Sequence, residues 1–105
     1  MLNLAKLINN ICCDPAKGLL YWKQTGSGRK MGVPLGKVRL DQKGNRVREV
    51  QFDGITYQAK FLIYVLCAKK IPAGKIGHFD EDPENLSFTN LYDVELMESI
   101  ESMVA

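Results

Sequence analysis

The residues with the clearest chemical use are one histidine and a set of alternating cations. His78 is the sole histidine, and Asp80, Glu81, Asp82 and Glu84 follow it closely. A site that acts on a phosphodiester wants positive potential, supplied by a metal or by Arg and Lys. This loop offers the opposite sign, and without a cation it would repel a nucleic-acid backbone. The positive charge lies upstream. Lys37 and Arg39 alternate on one stretch and Arg46 and Arg48 on the next, with Arg29, Lys30 and Lys43 on adjoining loops. On a small antiparallel sheet such side chains can reach phosphates and base edges in the major groove. The plainer use of the same pattern is a solvated sheet face. Trp22 could stack on a base or belong to the core with Leu19, Leu20 and Tyr21. Cys12, Cys13 and Cys67 have no second Cys or His pair at zinc-ligand spacing. They read as buried or idle thiols of a reducing compartment.

The net charge of +2 conceals a sharp division. All 14 Lys and Arg lie within residues 1–75, opposed only by Asp14, Asp41, Glu49 and Asp53, a balance of +10. Residues 76–105 contain no Lys or Arg and eight acids, Asp80, Glu81, Asp82, Glu84, Asp93, Glu95, Glu98 and Glu101, a balance of −8. The split predicts two surfaces with different partners, unless the two parts neutralise each other inside the fold. With 105 residues, 46% hydrophobic and 25% charged, the chain is expected to form one globular domain over 1–105. Its longest apolar run, Phe61 to Ala68, falls well short of the roughly 18–20 residues a membrane span requires. The start, Met1-Leu2-Asn3-Leu4-Ala5-Lys6, lacks the features of an export signal, so a cytoplasmic protein is expected.

Short elements must position these groups. Leu2, Leu4, Ala5, Leu7, Ile8 and Ile11 recur at helical spacing and predict a helix over 2–12. Asp14-Pro15-Ala16-Lys17-Gly18 is a turn, because Pro turns the preceding residue away from helix and Gly tolerates φ > 0. A short strand over 19–23 and a Gly-rich basic loop over 24–36 follow. Residues 37–41 alternate as a half-buried strand, 42–45 turn the chain, and 46–52 return. The alternation slips at Arg48-Glu49, where a bulge would reconcile Val47 with Val50 and Phe52. Asp53-Gly54 is a hairpin signal leading into a third strand over 55–57. Residues 59–69 fit a buried strand and a buried helix equally. Ile71-Pro72-Ala73-Gly74 ends that element. Residues 75–78 and 88–92 read as paired strands around the acidic loop. Leu96, Ile100 and Val104 share one face of an acidic helix over 94–104.

Several segments taken in order resemble the small HNH endonucleases of phages, in which a three-stranded sheet precedes the ββα-metal motif. Asp14-Pro15-Ala16-Lys17-Gly18-Leu19-Leu20-Tyr21-Trp22 matches the form D-P-x-x-G-x-L-x-W. Gly54 to Leu62 stands where the family shows G-x-x-Y-x-x-H-R-L. Pro72 to Asp82 stands where it shows P-x-G-x-I-D-H-I-N-G-D. Thr89-Asn90-Leu91 closes the motif in place of S-N-L, at the family's distance from His78. The resemblance covers about residues 4–99. It implies an α+β fold with an N-terminal helix, a small antiparallel three-stranded sheet, a buried helix over 59–69, a degenerate ββα hairpin and a C-terminal helix. Residues 1–58 would form the basic part and 59–105 the HNH-like part.

The resemblance also implies roles. His78 would be the general base activating a water against the phosphodiester, beside a divalent metal that steadies the leaving oxygen. Asn90 would be a scaffold residue bridging the two strands of the motif. The chain departs from the pattern where the metal should be held. Gly77 replaces the metal-binding Asp, and Ser99 replaces a second ligand that is often Asn. Glycine has no side-chain oxygen, and a Ser hydroxyl is a poor ligand for a hard cation. Lys60 and Phe61 replace the His and Arg of H-R-L, and Asn85-Leu86 stands where the middle Asn is expected. The expected protein is therefore a catalytically degenerate HNH-like phage or prophage product, needing no cofactor. It would bind double-stranded DNA through Arg29, Lys30, Lys37, Arg39, Lys43, Arg46 and Arg48. One alternative is an inhibitor or modulator of a host nucleic-acid-acting protein, using Asp80, Glu81, Asp82 and Glu84. A second is an active nuclease or nickase using Mg2+ or Mn2+ with Asp80 and Asp82 as replacement ligands.

Overall fold

In the computed structural model, which describes residues 2–26 and 29–104, the apolar stretch 2–12 divides between two elements. Helix α1 spans Leu4–Asn10, and Asn3 caps it by accepting from the Lys6 amide at 3.1 Å. It ends earlier than helical spacing predicts. Asn9 and Asn10 favour helix weakly. Ile11 instead opens strand β1 (Ile11–Asp14), antiparallel to β2 (Leu19–Trp22). Ile11 is buried and Cys12 exposed, so the last apolar residue of the apparent helix obeys strand alternation. Gly18 closes the turn between these strands at φ +66, donating its amide to the Asp14 carbonyl at 2.8 Å. The expected basic loop over 24–36 includes Ser27 and Gly28, which lie outside the described residues.

A meander follows, with β3 (Lys37–Leu40), β4 (Arg46–Phe52) and β5 (Ile55–Gln58) in sheet order β3-β4-β5. The register runs unbroken through Arg48 and Glu49, so the expected bulge is absent. The slip in alternation has another cause. Positions 48, 50 and 52 share one face, where Val50 and Phe52 are buried, and Arg48 extends from the rim of that face. Its Nη1 donates to the Leu35 carbonyl at 3.2 Å, while Val47 stands on the opposite face across from Arg39.

Helix α2 (Ala59–Ala68) settles the segment that pattern left open. Leu62, Ile63, Tyr64, Val65 and Leu66 are all buried, because α1 and the strands of all three sheets pack around the helix. A helix enclosed over most of its surface reads as apolar nearly all round, which hides its periodicity. Lys69, left-handed at φ 59, terminates it. The chain then forms a short hairpin of β6 (Ile76–His78) and β7 (Leu91–Asp93), separated by a loop that ends in a 3-10 turn at Phe88–Asn90. The last element is α3 (Val94–Val104). Buried Asp93 caps it, accepting from the Leu96 amide at 3.3 Å and the Ala73 amide at 2.6 Å. Burial works against ionisation of Asp93, but the surrounding amides outweigh it and hold the carboxyl below its ordinary range. The class is α+β. Among the described residues, no helix is long and apolar enough to cross a membrane.

Candidate functional site

The tip of the β3–β4 hairpin faces the loop after β6 across an open cleft of about 710 Å3. Arg39, Asp41, Lys43 and Asn45 line one side, and His78, Glu81 and Pro83 the other. Asp41 shapes the tip. Its Oδ1 accepts from the amides of Lys43 at 2.8 Å and Asn45 at 2.9 Å, a local turn that Asp favours. These bonds, led by the one from Asn45, lower the Asp41 pKa. The carboxylate is thus occupied within the turn, and Lys43 forms no ion pair among the described residues. Glu84 ties the two sides together by accepting from the Arg46 amide at 3.3 Å.

Asn90 organises the loop between β6 and β7. Its Oδ1 accepts from the Asp80 amide at 2.9 Å, and its Nδ2 donates to Asp80 Oδ1 at 2.9 Å and to the Asn85 carbonyl at 3.0 Å. Asp80 answers with its second oxygen, which accepts from Asn85 Nδ2 at 2.7 Å. That bond and the Asp82 amide keep the Asp80 carboxyl below its ordinary pKa. Since Asn90 is buried and makes three bonds, Asn90→Ala is expected to cost about 2–4 kcal/mol. Urea denaturation reads this directly. Ser99→Ala on exposed α3 should stay within about 0.5 kcal/mol and serves as the control.

His78 lies beneath this loop. The Asn85 carbonyl can only accept, so the 3.2 Å contact makes Nδ1 the protonated nitrogen. Nε2 is then a lone-pair acceptor, buried and without a hydrogen-bond partner among the described residues. Burial lowers the His78 pKa, the Asn85 contact opposes that, and Lys60 reinforces it. The folded chain therefore binds the proton less readily than the unfolded chain. The stability this provides is complete above the unfolded value of about 6.5 and declines as pH falls below it. His78→Gln should flatten the rise of the urea midpoint between about pH 5 and 7. An unchanged slope would show that other groups carry it.

The donors do not assemble a divalent-metal centre. Gly77 pairs with Tyr92, whose ring occupies the space a side chain at 77 would need. A Cβ there would lie 2.6 Å from the Tyr92 Cζ. Phe79 packs on the same ring with centroids 4.5 Å apart. Ser99 is exposed on α3, and Asp80 has both oxygens engaged. Asp82 turns to the Glu84 amide at 3.0 Å. Among the described residues, no three of His, Cys, Asp and Glu are grouped to hold an ion. The metal implied by the resemblance does not fit the residues present at its expected ligand positions.

The cations are distributed otherwise than on a single sheet face. Directly opposed residues share a face, so Lys37 and Arg39 project on the side of Val47 and Glu49, and Arg46 and Arg48 on the side of Val38 and Leu40. Arg39 pairs with Glu49 at 3.0 Å. Arg29 turns back onto the fold, 4.3 Å above the Trp22 ring and donating to Asn10 Oδ1 at 3.2 Å. Trp22 is partly buried under it, so the stacking partner it has is internal. Lys30, Lys37, Lys43 and Arg46 are exposed. The two ion pairs among the described residues, Lys6–Asp53 and Arg39–Glu49, both lie inside the basic part. Mutual neutralisation of the two parts does not occur through ion pairs. Asp80, Asp82 and Glu84 accept from backbone amides instead. Sequence reasoning missed the Tyr92–Gly77 contact, the Arg29–Trp22 stack and the cleft itself. A glycine in mid-strand was the available sign of the first. Comparison with protein-family models, curated proteins and solved structures gives no match in any of the three.

Proposed function

We propose that this chain binds duplex DNA through the β3–β4 hairpin, on an HNH-like fold that has given up its metal. The observation that carries this reading is the lack of neutralisation at the hairpin. Lys37, Lys43 and Arg46 are exposed and form no ion pair among the described residues. β3 is an edge strand with all four of its residues exposed. A two-stranded ribbon fits the major groove, and cations on both of its faces can meet the phosphates of both groove walls. Lys30, Arg39 and Arg48 reinforce the positive field, while Arg29 serves the fold. The same reading makes it a phage or prophage product acting in the host cytoplasm without a cofactor. Amide chemical-shift mapping with a short duplex tests it. Shifts confined to residues 37–48 are expected, and shifts centred on α3 or absent altogether would contradict it.

A second reading has its own observation. Leu96, Ile100 and Met103 follow one another at helical spacing on α3 and are 38%, 47% and 81% exposed. Glu95, Glu98 and Glu101 flank them with no Lys or Arg on the helix. This amphipathic helix suits an apolar groove rimmed by basic residues, as on a host nucleic-acid-acting protein. It shifts the expected interaction surface from the 80–84 loop, where Asp80, Asp82 and Glu84 are engaged, to α3. Ile100→Asp should abolish capture of such a partner, whereas Glu81→Gln should not.

A further inference from the structure

We propose a second ligand site, for a single nucleotide, in the pocket of about 500 Å3 between β5, the start of α2 and the segment Gly74–Ile76. Lys60 also borders the adjoining cleft beside Arg39, Arg46 and Arg48, and the pocket's own chemistry is of two kinds. Tyr57 and Phe61, one helical turn apart in sequence, stack with ring centroids 5.8 Å apart and planes inclined by only 6°. Both are partly buried and line the pocket, so the stacked pair gives it an aromatic wall. Buried Ile76 supplies an apolar surface beside them.

Lys60 and Lys75 supply the charge. Among the described residues, no carboxylate lines the pocket. The acid at its rim is Glu95, which packs over Gly74 so closely that a Cβ there would lie 2.6 Å from Glu95 Cγ. Lys60 is half-buried, forms no ion pair among the described residues, and has its pKa lowered by that burial. A group held this way is stabilised by an incoming anion.

An aromatic wall and two ammonium groups suit a planar ring joined to a phosphate. Every base has a π-face, so the wall accepts bases without choosing among them. The volume is within the range of small-molecule sites, about 300–1,000 Å3. The ligand is a nucleoside monophosphate unit, either free or as the unpaired 5′ end of a strand.

The test is NMR titration of the intact chain with adenosine 5′-monophosphate, and separately with adenosine and with ribose 5-phosphate. Saturable shifts at residues 56–61 and 74–76 are expected with the nucleotide, with each half-ligand binding at least about tenfold more weakly. Lys75→Gln, at an exposed position that leaves the core intact, should weaken the nucleotide about fivefold to tenfold. Lys43→Ala/Arg46→Ala should leave it unchanged, which separates this site from the hairpin. A 5′-phosphorylated single-stranded tetranucleotide that displaces the monophosphate at lower concentration identifies a strand end as the source. Equal or weaker displacement identifies the free nucleotide. No saturable shifts at those residues, or an affinity that Lys75→Gln does not change, would overturn the site.

Discussion

Replacing Lys43 and Arg46 together with Ala is expected to weaken duplex DNA binding roughly tenfold to a hundredfold near 0.1 M salt. It should also reduce the slope of log K against log salt by about two. Each side chain is exposed and forms no ion pair among the described residues, so its loss should remove a proposed phosphate contact without opening the fold. Arg39 and Arg48 are poorer probes. Arg39 is held by Glu49, and Arg48 holds the Leu35 carbonyl, so truncating either disturbs the sheet as well as the charge. Filter binding over a salt series reads both quantities, and an unchanged urea midpoint confirms that the variant is folded. Equal affinity and slope in wild type and variant would remove the hairpin as the contact surface.

The largest effect on stability is expected at Gly18. It is buried at φ +66, and a Cβ there would lie 2.4 Å from both the carbonyl carbon and the oxygen of Leu86. Backbone cannot rotate aside as a side-chain tip can, so Gly18→Ala must push the β1–β2 turn away from the loop that carries Leu86. That junction also contains the Phe88 amide bond to the Pro15 carbonyl at 2.8 Å. Overpacking and a strained left-handed Ala together should cost about 3–5 kcal/mol, a large part of a small domain's stability. Thermal unfolding should shift down by roughly 15–25 °C. Gly44→Ala provides the contrast. Gly44 has φ +82 but nothing within 4 Å of its Cβ, so only the backbone strain of about 1 kcal/mol remains. Equal losses at the two positions would show that contact with Leu86 is not what Gly18 protects.

The parts of the fold that were legible from sequence are those fixed by local chemistry. Apart from the slip at Arg48-Glu49, Lys37 to Tyr57 alternates between turn residues, and the meander β3-β4-β5 lies where that alternation places it. The Ile11 boundary was not legible, because one apolar residue satisfies helical and strand spacing alike and its pairing with Trp22 decides. Helix α2 was ambiguous because burial over most of its surface leaves only Lys60 where a polar stripe would reveal a helix. At the site, the His78 loop and its closing Asn90 were visible as residues. The engagement of Asp80, Asp82 and Glu84 by neighbouring amides was not, since a charge run looks the same whether its carboxylates face water or fold inward. The division of the hairpin cations between two faces follows from register. Register depends on how β3 and β4 pair, and the expected bulge would have changed it.

Titration of a fluorescently labelled duplex with the intact chain, followed by anisotropy in EDTA over a salt series and repeated in magnesium, tests metal-independent DNA binding most directly. Micromolar or tighter affinity in EDTA, falling steeply with salt and unchanged by magnesium, is the expected result. No binding in either buffer, or binding that appears only with magnesium, would contradict it.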